Sequence, residues 1–168
     1  KELDDQEALY DNEMIFSQAA RNLAICRAVG FDGFGEAIPV EDDGSGFAGK
    51  YASWQAYLAE TEAFFVSEHT SRCGLTEGEM ARLHKFWQKI LPEVQLAKGS
   101  LVHGDFAMSA IFVDDSKFTG IIDFGDAFIG DPLMDLAYFR FKEITKPYGF
   151  STYRKLLNHY MAVSRLDI

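Results

Sequence analysis

The sequence is poor in cysteine and proline, and in basic residues relative to acidic ones. Its two cysteines, Cys26 and Cys73, are too few for a disulfide scaffold, so we expect a reduced, cytoplasmic setting. Lys and Arg number 16 against 26 Asp and Glu, a formal net charge of -10. Nucleic acid is therefore not an expected partner, because binding to a phosphate backbone depends on clustered basic side chains. No apolar run approaches the roughly 18 residues of a membrane span and no basic leader precedes one, so we expect no membrane partner and no secretion signal.

Apolar residues, by contrast, are plentiful. They fill 48% of the 168 positions, enough to build the core of about one domain without disulfides or metals. The chain begins with Lys1 rather than Met, from which we expect a processed chain or a piece of a longer protein.

Helical periodicity recurs in five segments, each with apolar residues at every third or fourth position. An acidic run over residues 1–13 precedes the first segment and indicates a solvated helix start. We expect Phe139 and Phe141 to lie in the core. The predicted helices are one that ends at Gly30, one capped by Ser53, one between the capping box of Thr76 with Glu79 and Pro92, one opened by Asp131 and Pro132, and one opened by Ser151.

Strand character is confined to the middle of the chain. Leu101 with Val102, residues 111–113 and residues 118–122 are short β-favouring runs, and the last two predict a hairpin. Residues 30–49 carry six glycines and fit neither period, so we interpret them as a connecting loop, with the glycine-rich part at 44–49 a flexible loop rather than a phosphate cradle. The expected fold is mainly α with a small β hairpin.

Two acidic motifs flank this hairpin. His103, Gly104 and Asp105 precede it, and residues 121–126 (IIDFGD) follow it. Because each carboxylate comes directly after an apolar strand, we expect Asp105 and Asp123 to share one pocket. The pair could hold a divalent ion, or divide into a proton acceptor and a metal ligand as phosphoryl transfer requires. The alternative is that these aspartates only form turns.

The motifs HGD at 103–105, TGIIDFGDA at 119–127 and GDPLMDLA at 130–137 resemble the aminoglycoside phosphotransferase and choline-kinase-like family. A weaker resemblance covers GFG at 33–35 and SWQAYL at 53–58. It implies that the chain, residues 1–168, is the C-terminal lobe of a protein-kinase-like (α+β) fold, without its nucleotide-binding N-terminal lobe.

The resemblance also implies roles for individual residues. Asp105 would be the catalytic aspartate that orients and deprotonates an acceptor hydroxyl, and Asp123 would bind the Mg²⁺ that bridges the ATP phosphates, with Asp126 as a further metal ligand. His103 and Asp135 would support the catalytic loop. For Asp135, a carboxylate favoured by the helix dipole is an equal explanation.

Two features depart from the family pattern. A polar metal ligand usually stands five residues after the catalytic aspartate, where this chain has Ala110. The neighbouring Ser109 is expected to point to the opposite face of an extended segment and so not to replace it. Nothing before residue 16 resembles the glycine-rich hairpin and lysine strand that cover ATP, so we expect this chain alone to be nearly inactive.

The expected activity is transfer of the γ-phosphoryl group of ATP to a hydroxyl of a small molecule such as an aminoglycoside or amino alcohol. The acidic composition would suit a cationic acceptor, and the segment from Tyr138 to Phe150 with Lys142 could line its site, or be only a helix end and turn. The rival interpretation is a degenerate, non-catalytic binding or regulatory module. A partner chain that supplies the missing lobe is a further alternative.

Overall fold

The computed structural model describes residues 12–41, 46–69 and 74–164, and the side chains of all of these but 64–69. This part of the chain folds into five α-helices and seven short strands. The helices are α1 (Glu13–Ala28), α2 (Trp54–His69), α3 (Glu77–Ile90), α4 (Leu133–Glu143) and α5 (Gly149–Ser164); the strands are β1 (Gly30–Phe31), β2 (Phe34–Pro39), β3 (Phe47–Tyr51), β4 (Gly99–Val102), β5 (Ile111–Asp114), β6 (Lys117–Ile121) and β7 (Phe128–Gly130).

The fold is therefore mixed α/β, and the expectation of a mainly α protein with one hairpin is only partly confirmed. The chain divides into two compact units, one formed by Lys1–Gly30 with Ser100–Ile168 and the other by Phe31–Gly99. No helix in the described ranges has the length and apolar character needed to cross a membrane. Residues 1–11 of the acidic run, and Cys73, lie outside the described residues.

The first unit is built on α1, which packs along α5. Its apolar stripe repeats at the predicted helical spacing, and Phe16, Ala19 and Ala20 are fully buried. The helix ends at Ala28, two residues before Gly30. Residues from β5, α4, α5 and the segment between β4 and β5 complete the core: Phe106, Met108, Ile111, Val113, Leu136, Phe139, Leu156 and Tyr160.

The predicted hairpin is confirmed as β5 paired antiparallel with β6. Asp115 and Ser116 form its two-residue turn, both with positive φ (45° and 61°), as a tight hairpin turn of matching twist requires. The sequence did not predict β7, which pairs antiparallel with β4, Leu101 lying opposite Ile129. Beyond the hairpin, the chain thus returns to the strand from which the first acidic motif emerges.

Helix α4 begins at Leu133, whose N–H is capped by Asp131 Oδ1 at 2.9 Å, so the predicted start signal is confirmed within a residue. Phe139 is buried as expected, but Phe141 is 73% exposed. Two positions along a helix differ by about 200° in direction, so both rings cannot face the same core. The last helix starts at Gly149 rather than Ser151, whose hydroxyl donates to the carbonyl of Tyr148.

The second unit corrects the expectation of a loop at 30–49. Strands β2 and β3 pair antiparallel there, with Pro39 opposite Phe47. The strands are hard to recognise because neither alternates between buried and exposed side chains and each carries a glycine: a Cβ on Gly49 would lie 1.9 Å from the backbone nitrogen of Phe34. Backbones in such close contact require glycine, and a glycine-rich strand loses the pattern that identifies strands in a sequence.

The predicted caps of the two helices in this unit are confirmed. Ser53 Oγ accepts from the N–H of Ala56 at 3.1 Å at the start of α2. Thr76 and Glu79 form both bonds of the capping box that opens α3. The predicted apolar face of α3 is only partly buried, however: Met80 is buried, Leu83 is 38% exposed, and Trp87, Ile90 and Leu91 are half-buried.

Candidate active site

Three segments of the first unit meet around His103. Strand β4 leads into residues 103–105, β6 leads into residues 122–126, and α4 runs beside the first of these loops. His103 is 1% exposed, and its ring lies 4.5 Å from that of Phe124 between centroids. The two acidic motifs therefore lie on either side of one buried imidazole.

The hydrogen bonds of His103 define its tautomer. Its Nε2 lies 2.8 Å from the carbonyl oxygen of Ile122, which can only accept, so Nε2 carries the hydrogen. Its Nδ1 lies 3.3 Å from the backbone N–H of Asp105, which can only donate, so Nδ1 accepts. One imidazole thus bridges the backbone of Asp105 to the residue that precedes Asp123.

Asp135, in the first turn of α4, fixes the backbone of the first loop. Its Oδ2 accepts from the N–H of His103 at 2.9 Å, and its Oδ1 accepts from the N–H of Gly104 at 3.1 Å. The side chain is almost fully buried, and this burial raises the pKa of the Asp135 carboxyl, against the opposing effect of the two backbone N–H groups. The carboxylate is in contact with the loop backbone, and no hydrogen bond of the described residues connects it to a group that could react.

Gly104 brings the two acidic loops into direct contact. Its φ is +85°, and a Cβ at this position would lie 2.1 Å from the backbone oxygen of Asp126. Only glycine tolerates both the left-handed backbone and the contact. The loop that carries Asp105 is therefore packed against the loop that carries Asp123 and Asp126.

The carboxylate of Asp105 is half-exposed and faces two side chains of α4. The hydroxyl of Tyr138 donates to it, and Lys142 Nζ lies 3.4 Å from its Oδ1. The hydrogen bond from Tyr138 and, to a lesser degree, the charge of Lys142 lower the pKa of Asp105, while partial desolvation opposes them. Asp105 is therefore ionised at neutral pH and available to accept a hydrogen bond or a proton.

Asp123 and Asp126 stand in an exposed turn over Phe124–Asp126. Asp123 adopts the left-handed backbone, with φ 68° and ψ 56°, and its side chain caps no helix. A strained residue with an exposed carboxylate is typical of a functional turn. No cluster of three or more His, Cys, Asp or Glu side chains in the described ranges could hold a metal ion by itself. Two carboxylates nevertheless fit Mg²⁺, which in nucleotide sites takes one or two carboxylates and completes its shell with phosphate and water.

The turn Met108–Ala110 changes the interpretation of the missing metal ligand. These residues form a 3₁₀ turn rather than an extended segment. Ala110 is 4% exposed and belongs to the core, whereas Ser109 is exposed. The expectation of an extended segment is wrong, but Ser109 and Ala110 do face opposite sides as expected, and Ser109 is the residue of this turn that offers an oxygen to solvent.

Sequence reasoning missed how one face of α4 holds the whole loop. Asp135, Tyr138, Phe139, Lys142 and Glu143 recur at the spacing of a single helical face. The ring of Phe139 lies 5.5 Å from that of Phe106. The fully buried Glu143 accepts from the N–H of Met108 through Oε1 at 3.3 Å, and the same oxygen pairs with Lys146 Nζ at 3.3 Å. Counting turns from Asp135 would have identified this face.

In a comparison with family models, residues 10–163 match the phosphotransferase enzyme family, and this range includes all of the segments described above. The chain belongs to that family. The resemblance stated from the motifs is thus confirmed. No curated protein matches the chain.

Solved structures of phosphotransferases share its fold. A thermostable mutant of the aminoglycoside phosphotransferase APH(4)-Ia in its apo form has a TM-score of 0.62 and 18% identity, over 94% of this chain and 53% of that one. Macrolide 2'-phosphotransferase type I has a TM-score of 0.58 and 21% identity, and the match covers 92% of this chain and 46% of that one. The streptomycin-ATP-APH(2")-IIa ternary complex has a TM-score of 0.57 and 17% identity, over 95% and 52%. This chain thus spans about half the length of these proteins.

Proposed function

We propose that the protein is part of a kinase that transfers the γ-phosphoryl group of ATP to a hydroxyl of a small molecule. The observation that carries this proposal is the bridge made by His103, which ties the Asp105 backbone and the carbonyl before Asp123 to one ring at 3.3 Å and 2.8 Å. One carboxylate is thereby available for an acceptor and another for a cation, the division that phosphoryl transfer needs.

In this proposal, Asp105 binds the acceptor hydroxyl and receives its proton. The lowered pKa of Asp105 makes it a weak base, so its larger contribution is to orient the hydroxyl towards the phosphorus. Asp135 and His103 keep the loop backbone in place, and Tyr138 fixes the carboxylate itself. A side chain held from several sides reaches the reactive geometry with little loss of entropy.

Asp123 and Asp126 would hold Mg²⁺, and Ser109, exposed in the turn Met108–Ala110, could add an oxygen to them. When bound, Mg²⁺ and ATP supply the electrophilic phosphoryl group and the neutralisation of its charge. The solved structures with this fold include complexes with ATP and streptomycin and with ADP and hygromycin B. They support nucleotide use and a small-molecule acceptor of the aminoglycoside or macrolide kind for the protein from which this chain comes.

The test uses the longest chain that the gene encodes. ATP with Mg²⁺ is expected to raise its melting temperature, and Asp123→Ala to abolish the rise, while Asp114→Ala, an exposed aspartate of β5, leaves it intact. Radiolabelled ATP offered with a panel of hydroxyl metabolites and antibiotics is expected to label an acceptor. Asp105→Asn is expected to lose this transfer and to retain the nucleotide-dependent rise.

The opposite results would favour the non-catalytic module. The proposed activity would be contradicted if Mg²⁺ and ATP did not change the melting temperature. It would also be contradicted if the protein bound them and transferred nothing to any acceptor.

A further inference from the structure

Lys142 stands where an acceptor molecule would meet the catalytic carboxylate. It lies one helical turn after Tyr138 on α4, with Nζ 3.4 Å from Asp105 Oδ1 and 5.1 Å from the centroid of the Tyr138 ring. The side chain of Lys142 is 42% exposed and that of Asp105 is 36% exposed; Asp105 Oδ1, the oxygen beside the ammonium, is itself buried, so the carboxylate faces solvent through its other oxygen. An acceptor that reaches Asp105 must therefore pass beside the Lys142 ammonium.

This arrangement surrounds the carboxylate with hydrogen-bond donors. An ammonium has three N–H donors, and Asp105 and Tyr138 together engage no more than two of them. At least one donor remains for a ligand, and its natural partners are carboxylate, carbonyl, ether and hydroxyl oxygens. The positive charge also neutralises Asp105, the carboxylate that a cationic substrate would otherwise use as its counter-ion.

We propose that Lys142 determines acceptor specificity: it favours a molecule with an oxygen or anionic group beside the reacting hydroxyl and disfavours one with a protonated amine there. This inference rests on the proposed function, because it takes Asp105 to be the group that binds the acceptor. It runs against the expectation from the acidic composition, which would suit a cationic acceptor. The charges within reach of the reacting group decide specificity, since more distant ones are screened by salt over roughly 10 Å.

The experiment compares three pyranoses that differ in one substituent: glucuronate with a carboxylate, glucose with hydroxyls only, and glucosamine with an ammonium beside ring hydroxyls. Each is titrated into the isotope-labelled 168-residue chain without nucleotide, and the backbone amides of Asp105 and Tyr138 are followed by NMR. Glucuronate is expected to bind at least about fivefold more tightly than glucosamine, with glucose between them, and high salt is expected to reduce the difference.

Three variants test whether Lys142 is the cause. Lys142→Met is expected to bring the three affinities within about twofold of one another, and Lys142→Gln to do the same if the methionine variant does not fold. Lys142→Arg keeps the charge and is expected to keep the preference. The matched control is Lys117→Met, which removes an exposed lysine of β6 in the same unit and is expected to change nothing.

The inference would be overturned by wild-type protein that binds glucosamine as tightly as glucuronate, by a preference that survives Lys142→Met, or by no saturable binding of any of the three sugars. Because the titration contains no nucleotide, its result separates from that of the transfer assay. A chain with the expected preference that transfers no phosphoryl group contradicts only the proposed activity. A chain that transfers to amine-flanked and oxygen-flanked hydroxyls equally well contradicts only the role of Lys142.

Discussion

The carboxylate of Asp135 accepts the backbone N–H of His103 at 2.9 Å, and so connects the first turn of α4 to the loop that carries the candidate catalytic aspartate. Its second oxygen takes the N–H of Gly104 at 3.1 Å. Both donors belong to a loop without regular secondary structure, in which no strand partner is available for them. Asp135 therefore accepts the hydrogen bonds of two backbone N–H groups that have no strand partner in the loop between β4 and β5.

Asp135→Ala is expected to lower the free energy of unfolding by about 2–4 kcal/mol, because two backbone N–H groups lose their acceptor in a place that water reaches poorly. Asp135→Asn keeps one acceptor oxygen and should cost about half as much. The comparison variant is Asp131→Ala, which removes a single capping bond to the N–H of Leu133 and is expected to cost about 1 kcal/mol. Urea unfolding measures all three, and equal losses for Asp135→Ala and Asp131→Ala would contradict this role.

Alanine substitutions at Gly104 and Gly46, compared with each other, test the contact between the two acidic loops. Both have a left-handed backbone, with φ of +85° and +82°, but a Cβ on Gly104 would meet the backbone oxygen of Asp126 at 2.1 Å, whereas none of the described atoms lies within 4 Å of one on Gly46. Gly46→Ala should therefore cost only the backbone strain, about 1 kcal/mol. Gly104→Ala should cost at least about 2 kcal/mol more, because backbone must move.

Thermal and urea unfolding of the two glycine variants would show the difference directly. The change in the unfolded chain is the same in both, so it cancels in the comparison. Similar stabilities would mean that residues 103–105 and the turn at Asp126 do not pack as closely as the structure has them.

Much of the fold could be predicted from the sequence where the signals are local. The stripe of α1, the caps at Ser53 and Thr76 and the hairpin of β5 and β6 each depend on residues a few positions apart, and all are confirmed. Strands β2 and β3 were missed since close backbone contact at Gly33 and Gly49 selects glycine, which erases the alternation. Phe141 was placed in the core by its helical spacing, although its position on α4 directs it outward.

The acidic residues of the site were identified from motifs; the segment with Tyr138 and Lys142 was interpreted as the lining of an acceptor site or as a helix end, and its contact with Asp105 was not predicted. Nothing in the sequence pairs Asp105 with Tyr138 and Lys142, more than 30 positions away, until α4 is laid along the loop. Glu143 gives even less signal, since a buried carboxylate at the end of a helix resembles any surface glutamate in sequence. Contacts between distant segments depend on how the elements pack, which periodicity does not report.

The pKa of Asp105 should depend on Tyr138 more than on Lys142. Tyr138→Phe removes the hydrogen bond that contributes most to lowering this pKa, so the pKa is expected to rise towards its ordinary value of about 3.9, with a smaller rise in Lys142→Met. Carboxyl-carbon NMR of labelled aspartate measures it. Tyr153→Phe, on α5 beside Arg140, serves as the control and should leave the titration unchanged.

The lowered pKa of Asp105 also predicts how the stability of the fold depends on pH. A carboxyl whose pKa is lower in the folded state stabilises the fold above its unfolded pKa, and that contribution is lost as pH falls through the lower, folded value. The wild-type protein should therefore lose slightly more stability than Tyr138→Phe as the pH falls below about 4. Because Asp105 is half-exposed, the difference should stay under about 1 kcal/mol. A steeper loss in Tyr138→Phe would reverse the assignment.

Substitutions at Ser109 and Ala110 test whether Ala110 is a position from which a metal ligand is missing or a position of the core. Ala110 is 4% exposed, and its carbonyl accepts the N–H of Ile122 at 3.0 Å, so Ala110→Asn would force an amide into the apolar core. We expect it to cost about 2–3 kcal/mol in urea unfolding rather than to restore a metal ligand. Ser109→Asn, on the exposed side of the same turn, should cost less than about 0.5 kcal/mol. The opposite result would be an Ala110→Asn variant as stable as the parent and a destabilised Ser109→Asn variant. The turn at Met108–Ala110 would then have to face the opposite way, and Ala110 would again be the position from which a metal ligand is missing.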